Sequence, residues 1–127
     1  MATTWRSERP SRFGTMAELL EHVDGDLQLL QEALALFIEH CPHMLDRTRE
    51  ALQNEDRTGL SRAAHALKGS SANFNAATVV ELAEQLETEA HSADFVALRD
   101  TFSELDAEVS ALLTELENAG EPLRCAS

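Results

Sequence analysis

Phe95, Leu98, Phe102, Leu105, Val109, Leu112 and Leu116 recur at alternating intervals of three and four residues without a break. That rhythm holds seven apolar side chains on one face of an α-helix, and a face so continuous has to be buried against other elements. Three earlier stretches carry stripes of the same kind. Leu27, Leu30, Leu34, Phe37, Ile38, Cys41, Met44, Leu45 and Leu52 form one, from Asp26 to about Asn54. Leu60, Ala64, Leu67, Ser71 and Phe74 form the next, and Val79, Leu82, Ala83, Leu86 and Ala90 the third. Pro42 removes a hydrogen bond from the first stripe without disturbing its pattern, which predicts one kinked helix rather than two helices. Four long helices with short connections predict an all-α, antiparallel up-down four-helix bundle.

The boundaries follow from local chemistry. Thr15 and Glu18 make a capping box ahead of Met16, Leu19, Leu20 and Val23, and Asp24-Gly25 stops this short amphipathic helix, which is expected to cap one end of the bundle. Asp56 is the expected N-cap of the helix that carries Leu60. Residues 92–94 connect to the last helix. Asn118, Gly120 and Pro122 are expected to stop that helix, giving a domain over residues 15–118 and a frayed tail over residues 119–127. Residues 1–14 lack periodicity and hold three of the ten basic residues, so they read as a flexible arm or linker. Both a piece of a longer protein and a stand-alone protein remain open.

The composition excludes several classes. With 43% hydrophobic residues but five glycines, three prolines and no tyrosine, the 127-residue chain favours a single helical domain. It has no apolar run long enough to cross a membrane and no signal-peptide core near its start, so the expectation is a cytoplasmic domain without membrane insertion. A net charge of -13 argues against nucleic acid and against an anionic membrane surface as partners. Cys41 on an apolar face and Cys125 near the end make no disulfide framework, and a reducing compartment fits. His40, Cys41 and His43 invite a metal, but Cys41 points away from the two histidines and no further ligand pair lies nearby, so no metal is expected. His22 and His91 stand in no motif.

His65 is placed differently. It lies about 100° around the helix from the stripe of Leu60, Ala64, Leu67, Ser71 and Phe74, so its ring flanks the core and faces water. Ser61 and Arg62 precede it by one turn, Lys68 and Gly69 follow by one turn, and Ala72 lies beyond. A glycine inside a helix costs roughly 1 kcal/mol relative to alanine, and Gly69 spends that cost where it removes a side chain that would shade the ring. Neutral imidazole is a good nucleophile near its ordinary pKa of about 6.5, and Lys68 is a cation within reach of an anion carried on it. A surface histidine in a solvated face is the plain alternative; its neighbours set this one apart.

The run His65-Ala-Leu-Lys68-Gly69-Ser70-Ser71-Ala72-Asn73-Phe74-Asn75-Ala76 resembles the H-x-L-K-G-[SA]-[SA]-x-x-[hydrophobic]-G-A signature of histidine-containing phosphotransfer (HPt) domains. The family context extends from about Thr15 to Glu117. Asn75 departs from the usual glycine, and asparagine tolerates the left-handed backbone that glycine supplies at a helix end. The resemblance implies that His65 takes a phosphoryl group from the aspartate of a response-regulator receiver domain and passes it to another. It implies that the receiver brings the Mg2+, with no cofactor in this chain. It further implies a role for Glu87, 22 residues after His65, where the family often has Gln or Glu accepting a hydrogen bond from the histidine ring. If the two helices pair antiparallel, Glu87 would hold the ring nitrogen nearer the backbone in its protonated form, leaving the outer nitrogen free. The other reading of Glu87 is one acid among Glu81, Glu84 and Glu89 on a solvated face.

The functional expectation is a phosphorelay intermediate with His65 accepting, Lys68, Gly69 and Glu87 supporting, and Ser61, Arg62 and Ala72 in the docking face of a monomeric domain. It is not expected to be a kinase, since no glycine-rich nucleotide loop, Walker-type lysine or acidic magnesium cluster is present. Three other readings stand beside it: a module that sequesters a receiver without phosphorylation, a chemotaxis-type phosphoacceptor preceding a kinase, and a structural or metal-binding bundle.

Overall fold

The computed structural model describes residues 12–126. Among them are five helices and no strand: α1 (Met16–Glu21), α2 (Leu27–Gln53), α3 (Arg57–Ala72), α4 (Ala77–Glu89) and α5 (Phe95–Ala126). Each long helix packs against the next and α5 returns against α2, which closes an antiparallel up-down bundle of four helices. α1 packs on α2.

The ends form where the local residues dictate. Thr15 Oγ1 accepts from the Glu18 N–H at 3.2 Å, and Glu18 Oε1 accepts from the Thr15 N–H at 2.8 Å, so the capping box is complete. Asp26 caps α2 through the Leu29 N–H at 3.0 Å, and Asp56 caps α3 through the Gly59 N–H at 2.9 Å. Asp94 does the same for α5, accepting from the Ala97 N–H at 2.8 Å. α2 runs unbroken through Pro42.

The apolar stripes face one another. Leu60, Ala64 and Leu67 of α3, Val79, Ala83 and Leu86 of α4, and Leu98, Leu105, Val109, Leu112 and Leu116 of α5 are fully buried. Each leucine so buried contributes about 1.5–3 kcal/mol through the hydrophobic effect. Phe37 of α2 meets Phe74 just beyond α3 with ring centroids 4.8 Å apart. Thr48, a polar residue in the core, is buried without loss because its hydroxyl donates to the Met44 carbonyl at 2.9 Å. Cys41 is buried as well, and desolvation pushes its thiol up to about 11. In a Cys125→Ser background, Cys41 is therefore expected to resist a thiol reagent at pH 8 until the protein is unfolded. Rapid labelling of the native state would show that α2 opens.

Two boundaries differ from the sequence expectation. α5 continues through Asn118, Gly120 and Pro122 to Ala126 instead of stopping at Asn118. Starting a helix is costly but extending one is cheap, and the packed residues from Phe95 to Leu116 already supply the nucleus. The expected tail over residues 119–127 thus has helical backbone through residue 126. At the other end, the expected arm lies outside the described residues up to residue 11, but residues 12–14 are packed. The Arg12 Nε stands 3.0 Å from Glu108 of α5, and Arg12 also pairs with Glu115. Phe13 packs against the core, and the Gly14 N–H donates to the Phe74 carbonyl at 2.8 Å. A Cβ at Gly14 would stand 2.8 Å from the Asn75 amide nitrogen and 3.0 Å from the Asn75 Cβ, so a larger residue here would make Asn75 shift.

Candidate functional site

With its stripe turned inward, α3 leaves Ser61, Arg62, His65, Lys68, Gly69 and Ala72 along its outer face and flanks. The His65 side chain is 66% exposed. A Cβ built on Gly69 would meet no heavy atom within 4 Å, so the surface beside the ring is open. Arg62 and Ala72 are exposed and Ser61 half-buried on the same face.

The antiparallel pairing of α3 with α4 brings Glu87 to this face. Its Oε2 lies 2.8 Å from His65 Nδ1 and its Oε1 2.7 Å from Lys68 Nζ. One carboxylate therefore bridges the histidine and the lysine. The hydrogen bond from Lys68 holds the Glu87 carboxyl below the usual range against the opposing effect of desolvation, and the hydrogen bond from His65 adds a smaller lowering. The same bond raises Lys68 above its usual value. An ionised carboxylate only accepts hydrogen bonds, so Nδ1 carries the imidazole proton and Nε2 keeps its lone pair toward solvent. Lys68 is thus engaged with Glu87 rather than standing free beside the ring.

Glu81 and Glu84 remain on the exposed side of α4, while Glu89 is half-buried. His40 and His43 are exposed and Cys41 is buried, so the three do not converge. Among the described residues no group of three or more His, Cys, Asp or Glu side chains is arranged to hold a metal ion.

Other contacts were not apparent in the pattern. Asn75 adopts φ 54°, the left-handed backbone, and its Oδ1 lies 3.1 Å from His22 Nε2. The end of the motif is thereby tied to the residue that follows α1. Arg57, at the start of α3, reaches the carbonyls of Ala90 at 2.9 Å and Ala93 at 2.7 Å and stacks over the Phe95 ring at 4.4 Å. This holds the α4–α5 connection against α3 and so helps fix the register that places Glu87. Asn75 was visible as a departure from glycine; Arg57 had no local signal, because its partners lie 33 and 36 residues away.

The Hpt domain family profile matches residues 32–119. No curated protein sequence matches the chain significantly. Among solved structures, histidine-containing phosphotransfer protein B (HptB) from Pseudomonas aeruginosa PAO1 superposes with a TM-score of 0.78 at 18% identity, over 85% of this chain and 94% of the other. The HPT domain of a sensor hybrid histidine kinase from Shewanella superposes with a TM-score of 0.70 at 19% identity, over 80% and 87% of the two chains.

Proposed function

The chain belongs to the Hpt domain family, whose role is histidine phosphotransfer in phosphorelays with receiver domains, and on that premise we propose that His65 is the residue that carries the phosphoryl group. The observation that carries this reading is Glu87 bridging His65 Nδ1 and Lys68 Nζ, because it fixes the imidazole tautomer with Nε2 outward on an exposed, rigid helix. A nucleophile held on a packed element loses little orientational freedom at transfer.

In the step itself, the Nε2 lone pair attacks the phosphorus of a receiver's aspartyl phosphate in line with the departing carboxylate oxygen. The N–P bond forms, the P–O bond breaks, and the receiver's aspartate is restored as a carboxylate. Nδ1 keeps its proton against Glu87, which offsets the positive charge that develops on the ring. Attack by a second receiver's aspartate reverses the sequence and frees His65. Mg2+ is expected in the receiver, where it neutralises charge on the moving group. This chain contributes the nucleophile, the Lys68 cation and a docking face of Ser61, Arg62 and Ala72 around Gly69. It acts as a carrier with no ATP-dependent kinase activity of its own, as a monomer in the cytoplasm. No helix among the described residues is long and apolar enough to cross a membrane.

The test is transfer from receiver domains charged with acetyl phosphate. A label that is acid-labile and base-stable supports phosphohistidine. A receiver that binds tightly but transfers nothing supports the sequestering module instead. Within the same assay, Lys68→Ala is expected to slow transfer about 3- to 10-fold, the effect of roughly 1 kcal/mol for a partly exposed charge-assisted contact. An unchanged rate and an unchanged phosphohistidine lifetime would assign Lys68 to the solvated face.

A further inference from the structure

In a chain with 23 acidic and 10 basic residues, a cation that forms no ion pair stands out. Arg12, Arg49, Lys68 and Arg99 all pair with acids. Arg57 is held by two carbonyls. Arg47 of α2 and Arg62 of α3 are exposed and make no hydrogen bond or ion pair among the described residues. Both line one cleft of about 320 Å³ between α2 and α3, over Met44, Ala63 and Ala66. Asp56, also at this cleft, is committed to the Gly59 N–H, and Glu50 stands one turn from Arg47 without pairing to it. The cleft begins one turn from His65, since Arg62 precedes it by three residues and Ala66 follows it directly.

The surroundings of His65 are therefore electrically lopsided. On the α4 side lie Glu81, Glu84 and Glu87, and the one cation there among the described residues, Lys68, is bound to Glu87. On the α2 side two guanidinium groups are available to an outside anion. The face of a receiver that must approach His65 is anionic, because it carries the phosphorylated aspartate and the carboxylates that hold its Mg2+. We propose that Arg47 and Arg62 are the electrostatic docking contacts for that face, seating the receiver over the α2–α3 cleft and away from the acidic flank of α4. This inference rests on receiver-dependent transfer to His65 and adds the direction of approach and the two residues that set it. Paired charges at such a contact raise the encounter rate and fix orientation more than they alter the chemical step.

The experiment measures transfer from the productive receiver of the preceding screen, charged with acetyl phosphate, over a range of receiver and salt concentrations. Arg47→Glu and Arg62→Glu are each expected to lower kcat/KM about tenfold at low salt, with kcat at saturating receiver within about twofold of wild type. The salt dependence should flatten in the double variant. Arg99→Glu makes the same change in net charge at a site beside Phe95, outside the cleft, and is expected to have little effect. Arg47→Lys and Arg62→Lys should retain most of the rate, since steering needs charge more than geometry. If the cleft variants lose no more than Arg99→Glu, or if they lose kcat at saturation instead, the docking assignment is overturned. Calorimetric binding of any receiver that binds the wild-type domain, productive or not, separates the two readings. Weaker binding in the cleft variants sustains the arginine contacts even where wild type gains no label, whereas that missing label by itself counts against His65. Unchanged binding overturns the contacts.

Discussion

His65→Gln is expected to abolish phosphoryl acceptance completely while leaving the bundle folded. Glutamine offers no basic ring nitrogen to form the phosphoramidate, so the loss should be total rather than partial. The fold should tolerate the change because the side chain is 66% exposed and its one polar contact among the described residues is with Glu87. Glu87 is 2.7 Å from Lys68 in the wild-type chain and is expected to keep that pairing in the variant, so no charge is stranded. A stability change within about 0.5 kcal/mol is expected, as for most exposed substitutions. The check is acid-labile label from a charged receiver, with circular dichroism melting of both proteins. Label retained in the variant would move the accepting role to another histidine. The others are less suited to it: His22 is tied to Asn75, and among the described residues His40, His43 and His91 have no lysine-carboxylate bridge beside them.

Gly69→Gln is expected to make the protein more stable and less active. Nothing lies within 4 Å of a Cβ at this position, and its backbone is ordinary helix, so a side chain enters open space. Replacing a helical glycine contributes about 0.5–1 kcal/mol, which should raise the Tm by about 2–5 °C in a domain of this size. The same side chain stands one turn from the His65 ring, where a receiver has to bring its aspartyl phosphate into line. A displacement of about 1 Å at that moment costs on the order of 10²-fold in rate, so a loss of about 10- to 100-fold is expected. Gly69→Ala should give a similar gain in stability with a smaller loss of rate. A faster-melting variant, or an unchanged transfer rate with the higher Tm, would mean that the glycine serves a purpose other than approach.

The opposite signs expected at Gly69 separate function from folding in a way His65 alone does not. A glycine kept inside a helix with free space around it costs stability without helping the packing. On the proposed role of His65, its position beside an exposed imidazole would account for that cost. Arg47 and Arg62 follow the same logic in charge, since both stay unpaired among the described residues of a strongly acidic chain.

Much of this was legible along the chain, and the divide has a physical basis. Helix spans, the Thr15–Glu18 box, the caps at Asp26 and Asp56, and the exposure of His65 depend on residues within a turn or two of each other. The left-handed Asn75 was likewise readable, because its short polar side chain suits that backbone. The end of α5 was misread because local stop signals do not weigh the packed helix behind them. Residues 12–14 were misread as free because their partners, Phe74, Glu108 and Glu115, lie far along the chain. The sequence by itself thus determined four amphipathic helices and the face on which His65 stands, through periodicity and capping. Only the tertiary structure decided that Glu87 meets both His65 and Lys68, that Arg57 locks the connection behind them, and that Arg47 and Arg62 share a cleft. Those outcomes depend on the register between helices, which is set by the packing of side chains distant in sequence and is written in no single turn.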